Sequence, residues 1–434
     1  MRYLFIDFNS YFASVEQQEQ PRLRGRPVVV APVMTESTCA IAASHEARQC
    51  GIRTGTPVRE AKRLCPELIV VPARHDVYVT YHHRLIEEIE RHIPVSKVWS
   101  IDEMACRLDR TEQTPEAATA LARRIKAGIA AHIGPYVKGS IGIAPSSLLA
   151  KIATDLQKPD GLVVLSEADL PGPLLALRLT DLPGIGERMQ RRLARAGIDT
   201  VARLWSLSPK HARAIWGSVG GERFWYALHG FDIPDLPTSR SLIGHSRVLD
   251  PGSRAAPKAR LVARTLAMKA AFRLRHYGLA AGGFMLAGDK WEKGWAVHVR
   301  FSPTQDSFAF LHCLDALWPD LLKQAGGRAS FRHVQVGLFD LVAVSQRQHD
   351  LFLRADHKTS RAHRFEDLWG TIDRLNVKYG REALTLASQL GQNLQYAGTK
   401  IAFNRVPDRF EFSQTRLEGA EDQKAALRRR RAMA

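Results

Sequence analysis

Two places in the chain press carboxylates against apolar, strand-forming residues, and this limits what it can fold into more than any other feature. Tyr3-Leu4-Phe5-Ile6 runs straight into Asp7, and Val98-Trp99-Ser100-Ile101 runs into Asp102-Glu103-Met104. Apolar runs of this kind read as buried strands. An ionised carboxylate carried into the interior with them is costly unless a cation or a partner compensates it. A divalent cation is the natural compensation, and hard oxygen donors suit Mg²⁺, which keeps waters and binds through one or two carboxylates plus substrate phosphates. Two unrelated acids at solvent-facing strand ends would look the same, so the neighbouring segments must decide.

Composition narrows the partner. With 434 residues and 45% hydrophobic content the chain can fill the cores of two to four domains. A formal net charge of +18 and a pI near 10.0 point to a polyanion, nucleic acid first, because Lys and Arg neutralising phosphates supply most non-specific affinity. No apolar stretch approaches the ~18 residues that span a membrane, and the N-terminus enters a strand at Tyr3 without the plan of a signal peptide. Cys39, Cys50, Cys65, Cys106 and Cys313 form no CxxC pair. They are expected to be reduced thiols in a cytoplasmic protein, with zinc disfavoured.

Periodicity organises the rest. Strands are expected at 3–6, 28–31, 38–43, 68–72, 98–108 and 137–143, and helices at 11–18, from 46, at 57–64, 79–91, 115–133 and 146–156. Leu182-Pro183-Gly184-Ile185-Gly186 with Ala196-Gly197-Ile198 reads as a helix-hairpin-helix. Its turn offers backbone N–H groups of Gly184, Ile185 and Gly186 to a DNA phosphate, although an ordinary glycine turn between packed helices would look alike. Pro234 to Arg240 reads as a linker, and residues 243–342 follow a βαββαβ plan. Its first helix carries Lys258, Arg260, Arg264, Lys269, Arg273 and Arg275, and Arg428 to Arg431 form a basic tail.

Phe5-Ile6-Asp7-Phe8-Asn9-Ser10-Tyr11-Phe12, Ser100-Ile101-Asp102-Glu103, and Gly142-Ile143-Ala144-Pro145 leading to Lys151 and Lys158-Pro159-Asp160-Gly161 together resemble the Y-family, translesion DNA polymerases. Order and spacing match the DinB branch over roughly the first 240 residues, with some features of the UmuC and ImuB type. The resemblance implies an α+β multidomain right-hand polymerase. Its palm would be residues 1–10 and 76–165, its fingers 11–75, its helix-hairpin-helix thumb 166–232, a linker 233–242, a little finger 243–342, and a C-terminal clamp-binding segment and tail 343–434.

The same resemblance implies roles. Asp7, Asp102 and Glu103, with the carbonyl of Phe8, would hold two Mg²⁺ ions, Mn²⁺ being able to substitute. Two such ions, roughly 3.5–4 Å apart, activate the primer 3′-hydroxyl and neutralise the pyrophosphate. Asn9, Ser10, Tyr11, Phe12, Ala42, His45, Arg48 and Lys158 would surround the deoxynucleoside triphosphate, with Phe12 as a steric gate against the ribose 2′-hydroxyl and Tyr11 packed inward. Asn9 replaces the second acid of an Asp-x-Asp motif. His45 stands where Tyr is usual, which would make phosphate contact pH-dependent, and Ser147 where Lys is frequent. Met104-Ala105-Cys106 replaces a strand that usually contains an aromatic.

Gln348-His349-Asp350-Leu351-Phe352 is similar to the bacterial sliding-clamp motif, in which Gln348 makes polar contacts and Leu351 and Phe352 fill an apolar pocket. Residues 373–381 resemble a short helix found after such motifs. The reading is therefore a low-fidelity, template-directed polymerase, acting as a monomer on primer-template DNA. The alternative is an ImuB-like clamp-binding adaptor that has lost its metal ligands, and the presence of all three carboxylates argues against it.

Overall fold

The computed structural model describes residues 1–36, 38–234, 240–290, 293–327, 329–347, 357–379 and 383–387, with side chains of the last helix from 365. The chain divides into two compact units, the first comprising Met1–Leu236 and the second beginning at Pro237.

The first unit is built on a five-stranded sheet. Its strands are β1 (Tyr3–Phe8), β5 (Val95–Val98), β6 (Glu103–Arg107), β7 (Gly139–Ala144) and β8 (Leu162–Val164), and a smaller sheet holds β2 (Val28–Ala31), β3 (Ala42–Ala43) and β4 (Ile69–Pro72). The spatial orders are β5-β6-β1-β7-β8 and β3-β2-β4. β1 is central and pairs antiparallel with both β6 and β7. A strand covered on both faces must be apolar along its length, which is why Leu4, Phe5, Ile6 and Phe8 are all buried. Leu4, Ile6 and Phe8 join a core with the helices His75–Glu90 and Pro115–His132, while Phe5 and Ala105 join a second core with the helix Ser147–Leu156 and the helical segments around 174–228.

Two expected strands are corrected. Residues 38–43 form a strand only at Ala42–Ala43, because Cys39 instead makes an isolated antiparallel bridge with Pro57, through Ala40 N to Thr56 O and Val58 N to Thr38 O. Residues 98–108 are not one strand but the end of β5, a reversal and β6. The reversal is closed by Trp99 and Ser100 N–H groups donating to Glu103 O at 2.9 and 3.3 Å. Asp102 therefore lies on a turn at the end of the sheet.

The helix Ser147–Leu156, capped by the Ser146 hydroxyl on Leu149 N–H, lies on β7 at Gly142. A Cβ there would meet the backbone of Ala150 and Thr154 and stand 2.8 Å from the Ala153 methyl. Only a glycine lets helix and sheet approach so closely.

The second unit contains β9 (Leu242–Val248), β10 (Leu279–Lys290), β11 (Lys293–Thr304) and β12 (His333–Ala343) in the order β11-β10-β12-β9. The helices Ala256–His276 and Ser307–Gln324 intervene in the chain, giving the βαββαβ order. The short helix expected at 373–381 is instead the end of a long one, His357–Tyr379. It docks on this unit through buried Trp369, whose indole N–H donates to Asp306 at 3.1 Å, and through Arg275–Asp373 at 2.6 Å. The clamp-like residues Gln348, Leu351 and Phe352 and the basic tail lie outside the described residues.

Replacing Gly142 with Ala should overpack the helix–sheet contact and cost about 1–3 kcal/mol. A lowered denaturation midpoint with reduced activity is the expected result, and an unchanged midpoint would show that the helix shifts freely on the sheet.

Candidate active site

Strand register brings the carboxylates together. Asp7 and Glu103 are directly opposed across β1 and β6, and the Phe8 N–H donates to the Asp102 carbonyl at 2.8 Å, placing Asp102 beside the same strand end. Asp7 is buried. Asp102 accepts a 2.5 Å hydrogen bond from the Ser100 hydroxyl. Burial pushes the Asp102 carboxyl up to about 6, with the Ser100 hydrogen bond opposing and the nearby Asp7 and Glu103 charges adding to the rise.

Cations face these acids from the following helix. Lys151 Nζ lies 2.5 Å from Asp7 Oδ2 and 2.6 Å from Glu103 Oε1. Lys158 Nζ lies 2.9 Å from the same Asp7 oxygen and 2.7 Å from Asp155. Burial alone would lower the Lys151 pKa, but Asp7, Asp155 and Glu103 outweigh it and hold the ammonium well above the ordinary lysine range. Among the described residues no three His, Cys, Asp or Glu side chains already surround one point as a metal cage. The donor set nevertheless fits a hard divalent cation, since it supplies three carboxylates and attracts a cation to Asp7 and Glu103.

Sequence reasoning placed Lys151 in a motif but gave it no role. The signal was present: it is the one charge in the otherwise apolar run Leu148-Leu149-Ala150-Lys151-Ile152-Ala153. A lysine there must either leave the buried face or find acids.

The turn carrying Lys158 is tied to β1 by Asn9, whose side-chain oxygen accepts from Asp160 N–H at 2.8 Å and from the Ser140 hydroxyl at 3.2 Å. An amide oxygen does this as a carboxylate would, so the Asn in place of an acid keeps the tether. Ser10 starts the helix Tyr11–Glu19 in the left-handed region, φ 51°, and its hydroxyl accepts from Arg48 Nε at 3.0 Å. Arg48 and His45 lie on the short helix His45–Gln49, and both are exposed. Ala42 is buried on β3.

Tyr11 is buried and donates its hydroxyl to the Tyr78 carbonyl at 2.7 Å, so only its backbone is available to a ligand. Phe8 is likewise buried and offers only its carbonyl. Phe12 is half-buried and stacks on Tyr78, with ring centroids 4.4 Å apart and planes 14° from parallel. Tyr78 is in turn held by the buried Glu16, which accepts its hydroxyl at 2.8 Å and pairs with Arg74 at 2.7 Å. The ring at position 12 is thus backed by a ring that is itself anchored through its hydroxyl.

Gly184, with φ 91°, and Gly186 precede the helix Glu187–Arg195, which has no side-chain N-cap, while Ile185 is buried beneath it. The exposed Arg188, Arg191, Arg192 and Arg195 on this helix also escaped the sequence reading, as an ordinary solvated face would look identical.

A strand-end carboxylate cluster on a five-stranded sheet, followed by a helical region and a separate βαββαβ unit, is the plan of a Y-family DNA polymerase. The chain belongs to that family, in its DinB-like branch. The model for the impB/mucB/samB family matches residues 6–155, that for the thumb domain of DNA polymerase-iota residues 180–232, and that for the impB/mucB/samB C-terminal domain residues 240–351. DNA polymerase IV of Moorella thermoacetica is 34% identical over 410 residues, 91% of this chain and 98% of that protein. DNA polymerase IV of Gluconobacter oxydans is 40% identical over 205 residues, 47% of this chain and 56% of that protein. A Y-family DNA polymerase chimera of Dbh and Dpo4 superposes with a TM-score of 0.67 at 25% identity, over 79% of this chain and 99% of that one. An insertion ternary complex of Dbh DNA polymerase gives 0.53 at 25% identity, over 79% and 99%.

His82 supports the site from behind. It is buried, and its Nδ1 lies 2.7 Å from the Ile101 carbonyl, immediately before Asp102, where it acts as the donor. Burial lowers its pKa from 6.5 to about 4. The unfolded chain therefore takes up the proton first. This contribution to stability is fully present above pH about 6.5 and is lost as pH falls toward about 4. Thermal midpoints measured across that window should fall more steeply for the wild type than for His82→Gln. Parallel profiles would mean that His82 is protonated without cost.

Proposed function

We infer that this chain is a template-directed DNA polymerase of the low-fidelity translesion class, adding deoxynucleotides to a primer 3′ end. The observation that carries the reading is the meeting of Asp7, Asp102 and Glu103 at one strand end with Lys158 beside them, in a chain of this family. All three acids are retained, so nothing favours a non-catalytic adaptor.

In this reading residues 1–10 and 76–165 are the palm, 11–75 the fingers, 166–232 the thumb and 243–342 the little finger. Asp7, Asp102, Glu103 and the Phe8 carbonyl hold two Mg²⁺ ions, whose chemistry when bound is to activate the primer hydroxyl and neutralise the leaving pyrophosphate. Lys158, Arg48 and His45 bind triphosphate oxygens. Arg48 also orients Ser10 at the start of the gate helix. Phe12, backed by Tyr78, closes the space that a 2′-hydroxyl would need, so ribonucleotides are rejected by overlap. The Gly184–Gly186 turn and the arginines after it grip duplex phosphates without reading bases. The protein works as a monomer and is recruited by a bacterial sliding clamp through Gln348, Leu351 and Phe352.

Primer extension on undamaged and abasic templates with Mg²⁺ tests this reading. Asp102→Ala should abolish extension while DNA binding persists, since phosphate contacts are spread over remote basic surfaces. Retained extension would place the metals elsewhere. In the same assay Phe12→Ala should collapse the ratio of kcat/KM for deoxy- over ribonucleotide, whereas an unchanged ratio would reduce Phe12 to a packing residue.

Leu351→Ala with Phe352→Ala removes the pocket-filling surface of the clamp segment. Hot-spot truncations cost roughly 2–4 kcal/mol each, so clamp affinity should drop by orders of magnitude while extension on a bare primer is unchanged. Clamp stimulation that survives the double substitution would disprove this anchor.

A further inference from the structure

We propose that Lys151 is a resident countercation of the carboxylate site, handed from Asp7 and Glu103 to Asp155 when a divalent ion binds. The inference rests on the metal-site reading above and adds to it how the site is kept assembled before metal arrives.

The lysine stands where a metal would be drawn. Its Nζ bridges the two acids opposed across β1 and β6, 2.5 Å from Asp7 Oδ2 and 2.6 Å from Glu103 Oε1, and its side chain is only 17% exposed. The backbone beneath it is fixed by the contact of its helix with Gly142. The absence of a preformed three-ligand cage among the described residues has a direct cause: Asp7 and Glu103 are arranged about an ammonium. A divalent ion on the same oxygens would repel that ammonium strongly at such range. One of the two cations must yield.

An exit exists. Asp155 lies four residues on along the same helix, with Oδ2 3.9 Å from Lys151 Nζ, and it is more exposed than the other acids. Rotation about the flexible lysine stem brings the ammonium to Asp155 and leaves the Asp7 and Glu103 oxygens to the incoming ion. Lys158 pairs with the other oxygen of Asp155, Oδ1, so Oδ2 is left to receive the ammonium. Metal loading is then an exchange of one cation for another, and at no stage do the acids face one another unneutralised. A purely structural Lys151 would instead stay in place and hold the acids together, and its removal would let them splay and weaken metal binding. The two roles predict opposite signs.

Mn²⁺ titration of the full chain without DNA or nucleotide, read by the electron paramagnetic resonance signal of free aqueous Mn²⁺, separates them. Lys151→Met should tighten Asp102-dependent Mn²⁺ binding by about tenfold or more. Asp155→Asn should weaken it several-fold in the wild-type background and much less in the Lys151→Met background, because the exit then has no occupant. Lys151→Arg keeps the charge and provides a second test should the Met variant fail to fold. Its planar fork is harder to detach from two carboxylates, so binding should weaken. Weaker or unchanged Mn²⁺ affinity in a folded Lys151→Met protein, or unchanged or tighter affinity in Lys151→Arg, overturns the proposal. Mn²⁺ binding that Asp102→Ala does not affect, in wild type and Lys151→Met alike, overturns the metal-site reading itself.

Discussion

The site depends on a balance of charge at the end of one strand. Asp7, Asp102, Glu103 and Asp155 lie close together, partly removed from water, where like charges would drive the strand ends apart. Lys151 and Lys158 offset them, and both arrive on or just after a single helix. That helix can approach only because Gly142 has no side chain. A packing constraint between a helix and a strand thus sets the electrostatics of a site formed by other strands.

The same economy shapes the neighbouring aromatic cluster. β1 carries Asp7 one residue before its end, and the helix that follows it carries Phe12 in its first turn. The Phe12 ring is held by Tyr78, and Tyr78 by a buried carboxylate that is itself paired with Arg74. Burying Glu16 is tolerable because its oxygens receive the Tyr78 hydroxyl, the Arg74 guanidinium and the Gln20 amide. Outside the first unit the helix His357–Tyr379 is part of the folded βαββαβ unit and not a bare extension, since Trp369, Glu366 and Asp373 bind it to Asp306, Thr304 and Arg275.

Much of this was legible in the residues. The long elements were, because their periodicity is enforced by burial: β1, the helix Pro115–His132 and the βαββαβ plan all follow from apolar spacing. The carboxylates were legible from acids set against apolar strands. Short elements failed where hydrogen bonds outside the main strand ladders override local preference, between distant residues at 38–41 and within a tight turn at the Trp99–Asp102 reversal. Tyr11 and Phe12 are adjacent and both aromatic, and nothing but the direction each takes from the helix buries one fully and leaves the other half-buried at the edge of the same core.

Residue identity alone dictates which charges exist, that acids border two apolar segments, and that the chain seeks a polyanion. The tertiary structure decided which charges meet. Asp7 and Glu103 are 96 residues apart and opposed only by β1–β6 register, and Lys151 reaches both only through the approach at Gly142. Register and helix packing are set by the whole core at once. The partner of a charged side chain is therefore a property of the assembled fold, whereas the need for a partner is already written in the composition around it.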